Sequence, residues 1–146
     1  MSLITDQVFY NALKSNAELV KTVDGRIENT SIPVPDEQLL NQPVPYIVIT
    51  FDDLKNEGFT KDNSFEGDTD KVLIGIEIAA EDRETLGDIA QAIRQTVKTY
   101  FLSTEHAKED YDLVPEDYEF SASKIQYDPI KPCFWQILSY TCDTNP

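Results

Sequence analysis

The sequence predicts an α+β domain: an antiparallel sheet of about four strands, with one long helix packed on a face and N-terminal helices beside it. Three observations carry this reading. Val72, Ile74, Ile76 and Ile78 alternate with Lys71, Gly75 and Glu77, the period of a strand with one buried face. Leu86, Ile89, Ala90, Ile93, Val97, Tyr100 and Phe101 then recur at steps of three and four, an apolar helical stripe. The strand runs into the helix with almost no connector, and β-rich segments lie on both sides of this unit.

Residues 4–14 place Ile4, Val8, Phe9, Ala12 and Leu13 on one helical face. Ser15-Asn16-Ala17-Glu18 has capping-box spacing, in which the Ser15 hydroxyl accepts from a backbone amide and Glu18 reaches back. A short helix should therefore start there and bury Leu19, Val20 and Val23. Asp24-Gly25 is a turn signal that stops it, and Arg26-Ile27 begins a short extended piece. Residues 29–45 carry Pro33, Pro35, Pro43 and Pro45. Proline removes a ladder donor, so this stretch reads as an extended arm or Ω-like loop outside any central strand.

Residues 46–51, Tyr-Ile-Val-Ile-Thr-Phe, form a strand by β-branched and aromatic content. Residues 52–69 are polar and read as a long hairpin loop, a kind that is usually functional or mobile. The main helix begins near residues 82–85, with Asp82 and Glu84 at its start and Lys98 toward its end, which suits the helix dipole. Residues 102–117 form a second acidic loop. Residues 118–127 and 133–141 are two strands joined by the stiff turn Asp128-Pro129-Ile130-Lys131-Pro132.

The chain has 146 residues and is 40% hydrophobic. That fits a single domain over residues 1–146, burying roughly 68–70% of its unfolded surface. No apolar run approaches the roughly 20 residues that span a membrane, and MSLITDQVFYNALK lacks the basic-then-apolar order of a secretory signal. The formal charge is −15, so no direct binding of nucleic acid or anionic membrane is expected. Residues 52–70 carry seven acids and two lysines, and residues 105–117 carry six acids and one lysine. Each segment nets −5, so the two hold ten of the fifteen charges. The plain account is two solvated loops.

Cys133 and Cys142 lie in or beside one strand-like segment. Nine extended residues span about 30 Å, whereas a disulfide needs Cα atoms within about 7 Å. Their opposite parity also puts them on opposite faces. Two free thiols are expected, which fits a reducing compartment.

No residue pattern points to catalysis. His106 is the only histidine and lies in an acidic loop, without the nucleophile and orienting partner that a catalytic histidine needs. Residues 62–70 offer oxygen ligands at alternate positions, as in a calcium loop, but Leu73 stands where the bidentate glutamate belongs. There is no phosphate loop, dinucleotide fingerprint or Cys/His metal spacing. The expectation is a protein that is not an enzyme and needs no cofactor or metal. Tyr127, Phe134, Trp135 and Tyr140 concentrate aromatic area in the last two strands. Packing within the sheet explains them; a protein interface, where Trp and Tyr are enriched, is the alternative.

The order of these elements resembles the tail-completion or tail-terminator (head–tail joining) proteins of long-tailed phages and prophages. A helix ending in Leu13 precedes a short one with Leu19 and Val20. Asp24-Gly25-Arg26-Ile27 is similar to that family's Gly-Arg-Ile step. A proline-bearing arm ends in Pro45-Tyr46-Ile47-Val48, similar to its Pro-Tyr-hydrophobic strand entry. A strand over residues 72–80, a helix with Ile89-Ala90-Gln91-Ala92-Ile93 and a closing strand pair complete the pattern. The resemblance spans most of residues 4–141 and brings no catalytic residues.

What it implies is structural work: a ring of identical subunits, commonly six, that caps the tail tube and joins it to the head connector. The implied partners are the chain itself, tail-tube proteins and connector proteins. The implied location is the virion tail, after assembly in the bacterial cytoplasm. A cyclic ring needs two unlike patches per subunit, and arms and edge strands suit that purpose. Pro33, Pro35, Pro43 and Pro45 of the arm, with Phe134, Trp135 and Tyr140 of the last strand, are the expected interface. Asp52, Asp53, Asp62, Glu66, Asp68 and Asp70 are expected to face the lumen, where they would repel phosphates. The competing function is a small acidic adaptor or DNA mimic for a basic partner. Charge held in loops, beside an apolar/polar sheet pattern, favours the ring protein.

Overall fold

The structure, a computed structural model, describes residues 2–29, 43–56, 70–102 and 117–144. A single turn over Ser2–Ile4 leads into helix α1 (Thr5–Lys14), followed by α2 (Ala17–Thr22) and β1 (Ile27–Asn29). Then come β2 (Tyr46–Asn56), β3 (Asp70–Ala80), α3 (Arg83–Leu102), β4 (Asp117–Ala122), β5 (Gln126–Asp128) and β6 (Cys133–Thr144). The sheet has six strands in the order β1-β2-β3-β6-β4, with β5 pairing β6 beside β4.

The alternation in β3 is the reason for its central place. Val72, Ile74, Ile76, Ile78 and Ala80 are all fully buried on one face. Above that face lies the α3 stripe, in which Leu86, Ile89, Ile93, Val97, Tyr100 and Phe101 are buried. From α1, Val8, Phe9, Ala12 and Leu13 complete the core. Burying one such side chain stabilises the fold by about 1.5–3 kcal/mol, so this layer supplies most of the driving force. Ile4 is the exception to the expected α1 face: it is 39% exposed because the helix starts one residue later, from the preceding turn.

Four local expectations need correction. The sheet is not purely antiparallel, because β1 pairs in parallel with β2 over Ile27–Ile47 to Asn29–Ile49. The short helix α2 is capped by Asn16, not Ser15: the Asn16 side chain accepts from the Glu18 and Leu19 amides at 3.1 and 3.2 Å. Ser15 serves the helix before it, donating its hydroxyl to Ala12 O at 2.6 Å. Strand β2 runs on to Asn56 by absorbing a bulge between Phe51 and Asp53, so Asp52 and Asp53 belong to a strand. The segment 118–127 is two strands, because Ser123 interrupts the ladder with its own bonds to Ile137.

The two thiols are free and buried. Cys142 joins the main core, whereas Cys133 joins a smaller cluster with Tyr46, Val48 and Ala79 on the opposite face. Their opposite parity along β6 produces this separation.

Candidate assembly surfaces

The first candidate surface starts from a turn. Asp24 and Gly25 both take positive φ, at 55° and 76°. Glycine reaches that region without a Cβ penalty, and aspartate tolerates it better than most residues. The reversal ends α2, with the Gly25 amide donating to Val20 O at 2.8 Å. It also aims Arg26 across the sheet edge. Arg26 Nε donates to Pro45 O at 2.9 Å, and Arg26 O accepts from the Ile47 amide at 2.9 Å. The Gly-Arg-Ile step and the Pro-Tyr strand entry are therefore one joint, which fixes where the arm enters β2. The Val44–Pro45 peptide is cis.

Of the arm prolines, Pro45 is half-buried in this joint and Pro43 is exposed. Pro33 and Pro35 lie outside the described residues. Strand β6 is interior, paired with β3 on one side and with β4 and β5 on the other. Its backbone bonds are used, so β6 has no free edge to accept a neighbour's strand. Among the described residues the sheet edges are β1 and the β4–β5 pair.

The β6 aromatics part company. Tyr140 is 1% exposed and packs against Phe9, Tyr118 and Phe120 with centroids at 5.0–5.6 Å. It is a core residue, and burial pushes its phenol up from the usual range. Phe134 packs on the helix side with Tyr127 at 5.1 Å, while Trp135 lies half-buried on the other face. There Tyr46 donates its hydroxyl to Glu77 at 3.1 Å. Burial, and then Glu77, raise the Tyr46 phenol.

The expected acidic patch is divided. Asp52 and Asp53 are exposed on β2. Asp52 accepts from the Thr50 hydroxyl at 2.7 Å and lies over Gly75. Asp70 is buried and accepts from Asn56 Nδ2 at 2.7 Å, closing the β2–β3 ladder. Asp62, Glu66 and Asp68 lie outside the described residues, as does His106. Among the described residues no group of three or more His, Cys, Asp or Glu could hold a metal ion, and no helix is long and apolar enough to cross a membrane.

A groove of about 630 Å³ that sequence reasoning missed separates α2 from α3. Leu19, Ile89, Ala92 and Tyr100 line its apolar part, and Glu18 and Asp88 are its charged lining residues. Asn16 spans it, donating Nδ2–H to Thr96 Oγ1 at 2.9 Å.

The fold has a counterpart in a gene transfer agent particle. A chain from the virion of a native gene transfer agent particle superposes with a TM-score of 0.61 and 16% sequence identity. The match covers 97% of this chain and 94% of that one. At this identity the likeness is one of fold. No protein-family model and no curated protein matches the sequence.

Proposed function

We propose that this chain is a structural subunit of a phage-type virion, closing into a ring at the head-proximal end of the tail tube and joining that tube to the head connector. The observation that carries the reading is the fold shared with a virion chain along nearly the whole of both proteins. The Arg26–Pro45 joint supports it, because it links two of the short motifs that contribute to the tail-terminator resemblance.

The ring reading asks for no catalysis. The subunit works by shape and charge, and its partners are further copies of itself, the tail tube and the connector. The acids have a role in this reading: exposed Asp52 and Asp53 line the lumen, and with the charge of the acidic segment that follows them in sequence they repel passing DNA. Neutralising that segment to Asn and Gln should slow DNA ejection or leave DNA retained. Unchanged ejection would sink the lumen assignment.

The test of the ring is mass by light scattering across concentration, with negative-stain images, alone and with purified tail tubes. A closed oligomer, free or on tube ends, is the expected result. A monomer under every condition, tubes included, overturns the reading.

A further inference from the structure

In a chain of net charge −15, three described cations stand along one flank outside any ion pair among the described residues. Arg83 and Arg94 are eleven residues apart on α3, three helical turns, so they share a face about 16 Å apart. Arg94 lies over the Phe120 ring at 4.4 Å. Arg83 lines a recess of about 260 Å³ with Tyr127 and Phe134. Lys124 is exposed between β4 and β5. Among the described residues the ion pairs are Arg26–Asp24 and Lys55–Asp53, and none involves these three cations.

Apolar surface is exposed beside them. Tyr127 is 54% exposed, and Ile130, at the tip of the β5–β6 hairpin, is 93% exposed. That tip is held in shape by Asp128 Oδ1, which accepts from the Ile130 amide at 2.9 Å. A side chain added at Gly87, between the two arginines, would meet nothing within 4 Å, so the flank is open.

The opposite flank of α3 has the complementary character. The α2–α3 groove carries exposed Glu18 and Asp88 over a floor in which Leu19 and Ile89 are already buried in the core, and has no cation among its lining residues. We infer that these two flanks are the unlike halves of one head-to-tail contact, with the Arg83–Arg94–Tyr127 flank of one copy seated on the Glu18–Asp88 groove of the next. The inference rests on the ring reading and names its surfaces. Charge complementarity selects the register, and Tyr127 and Ile130 of the cationic flank supply exposed apolar area to fill the groove. Two different patches on one subunit are what cyclic closure requires.

The experiment is a charge swap. Arg83→Glu with Arg94→Glu makes the flank acidic, and Glu18→Arg with Asp88→Arg makes the groove basic. All four side chains are exposed, and circular dichroism with thermal melting checks each fold. Arg83→Gln with Arg94→Gln is the milder substitute if the reversal unfolds. Each reversed protein alone should lose the high-mass species in light scattering. Mixing the two should restore it, because each junction then joins opposite charges again.

Rings that persist in either reversed protein overturn the surfaces and leave the ring reading standing. Loss without recovery on mixing overturns their pairing. Recovery as open chains upholds the contact and overturns the closed ring. A wild-type protein that stays monomeric even with tubes present overturns both.

Discussion

Arg26 Nε donates a hydrogen bond to the carbonyl oxygen of Pro45, nineteen residues away, at 2.9 Å. The contact joins the end of the α2–β1 turn to the start of β2. It acts beside the parallel β1–β2 pairing, in which each strand supplies few bonds because β1 has only three residues. Arg26 is 23% exposed at its side chain, while its ion-pair partner Asp24 is 85% exposed. The Pro45 bond therefore matters more than the ion pair.

Arg26→Ala should cost about 1.5–3 kcal/mol, the range for removing a charged donor from a part-buried acceptor. Arg26→Lys should recover little, since an ammonium cannot present Nε in the same plane. Urea unfolding checks this: the midpoint should fall at unchanged slope, and a midpoint unchanged in Arg26→Ala would deny the joint its role.

How far the sequence could be read depended on how many residues spoke for each element. Strand β3 and helix α3 were legible because five and six buried positions repeat at one period. The parallel pairing of β1 was hidden, since three residues carry no period and the partner strand lies across the arm. The interior place of β6 was hidden for a related reason: strand order in a sheet is set by long-range pairing, and β3 and β6 are sixty residues apart at the Ala79–Trp135 and Val72–Cys142 rungs to within about ten. The Ser15 cap was misassigned because Ser15 and Asn16 are both good caps, and only the end of α1 decides which is free. Of the candidate surfaces, the arm's entry into β2 was marked in the sequence by Pro43 and Pro45. The α2–α3 groove and the cationic flank were not, because they are assembled from residues far apart in sequence.

Asn16 permits a test that separates local capping from tertiary bonding. Its Oδ1 accepts from the Glu18 and Leu19 amides, and its Nδ2 donates to Thr96. Asn16→Ala removes both and should cost about 0.5–2 kcal/mol. Asn16→Asp keeps the cap and loses only the donor, so it should fall between. Equal losses in the two variants would mean that the link to α3, rather than the cap, holds α2 in place.

The buried thiols set an alkaline limit on stability. Burial, and secondly Asp143, push the Cys142 thiol from 9.0 up to about 12. Burial raises Cys133 and the phenols of Tyr46 and Tyr140 as well. Each group is neutral when protonated, and its folded pKa lies above its unfolded one. Above pH 9.0 the unfolded chain gives up the Cys142 proton while the folded chain keeps it.

Stability is thus fully present below that pH and falls as pH rises toward about 12. The slope from this one group is at most about 1.4 kcal/mol per pH unit. Denaturant midpoints across alkaline pH should show the decline, and Cys142→Ala should lessen it. Near neutral pH a thiol reagent should modify neither cysteine in the native protein and both in denaturant. Rapid native labelling of Cys142 would contradict its burial.

On the face of the sheet away from the helices, the Asp52 side chain lies over Gly75. A Cβ at position 75 would lie 2.8 Å from Thr50 Oγ1 and against Asp52 Oδ2. Both obstructing atoms are side-chain ends. Gly75→Ala should therefore fold, with Asp52 swung outward and its bond from Thr50 broken. Gly75→Val adds branches that the rotated side chains cannot clear, and should cost about 1–3 kcal/mol as overpacking. The decisive comparison is a double-mutant cycle. If the clash with Asp52 sets the cost, Gly75→Ala should be less harmful in an Asp52→Ala background, and the two changes should not add. Additive costs would show that glycine is needed at position 75 for another reason, and Asp52 would then be free to point away from the sheet without penalty.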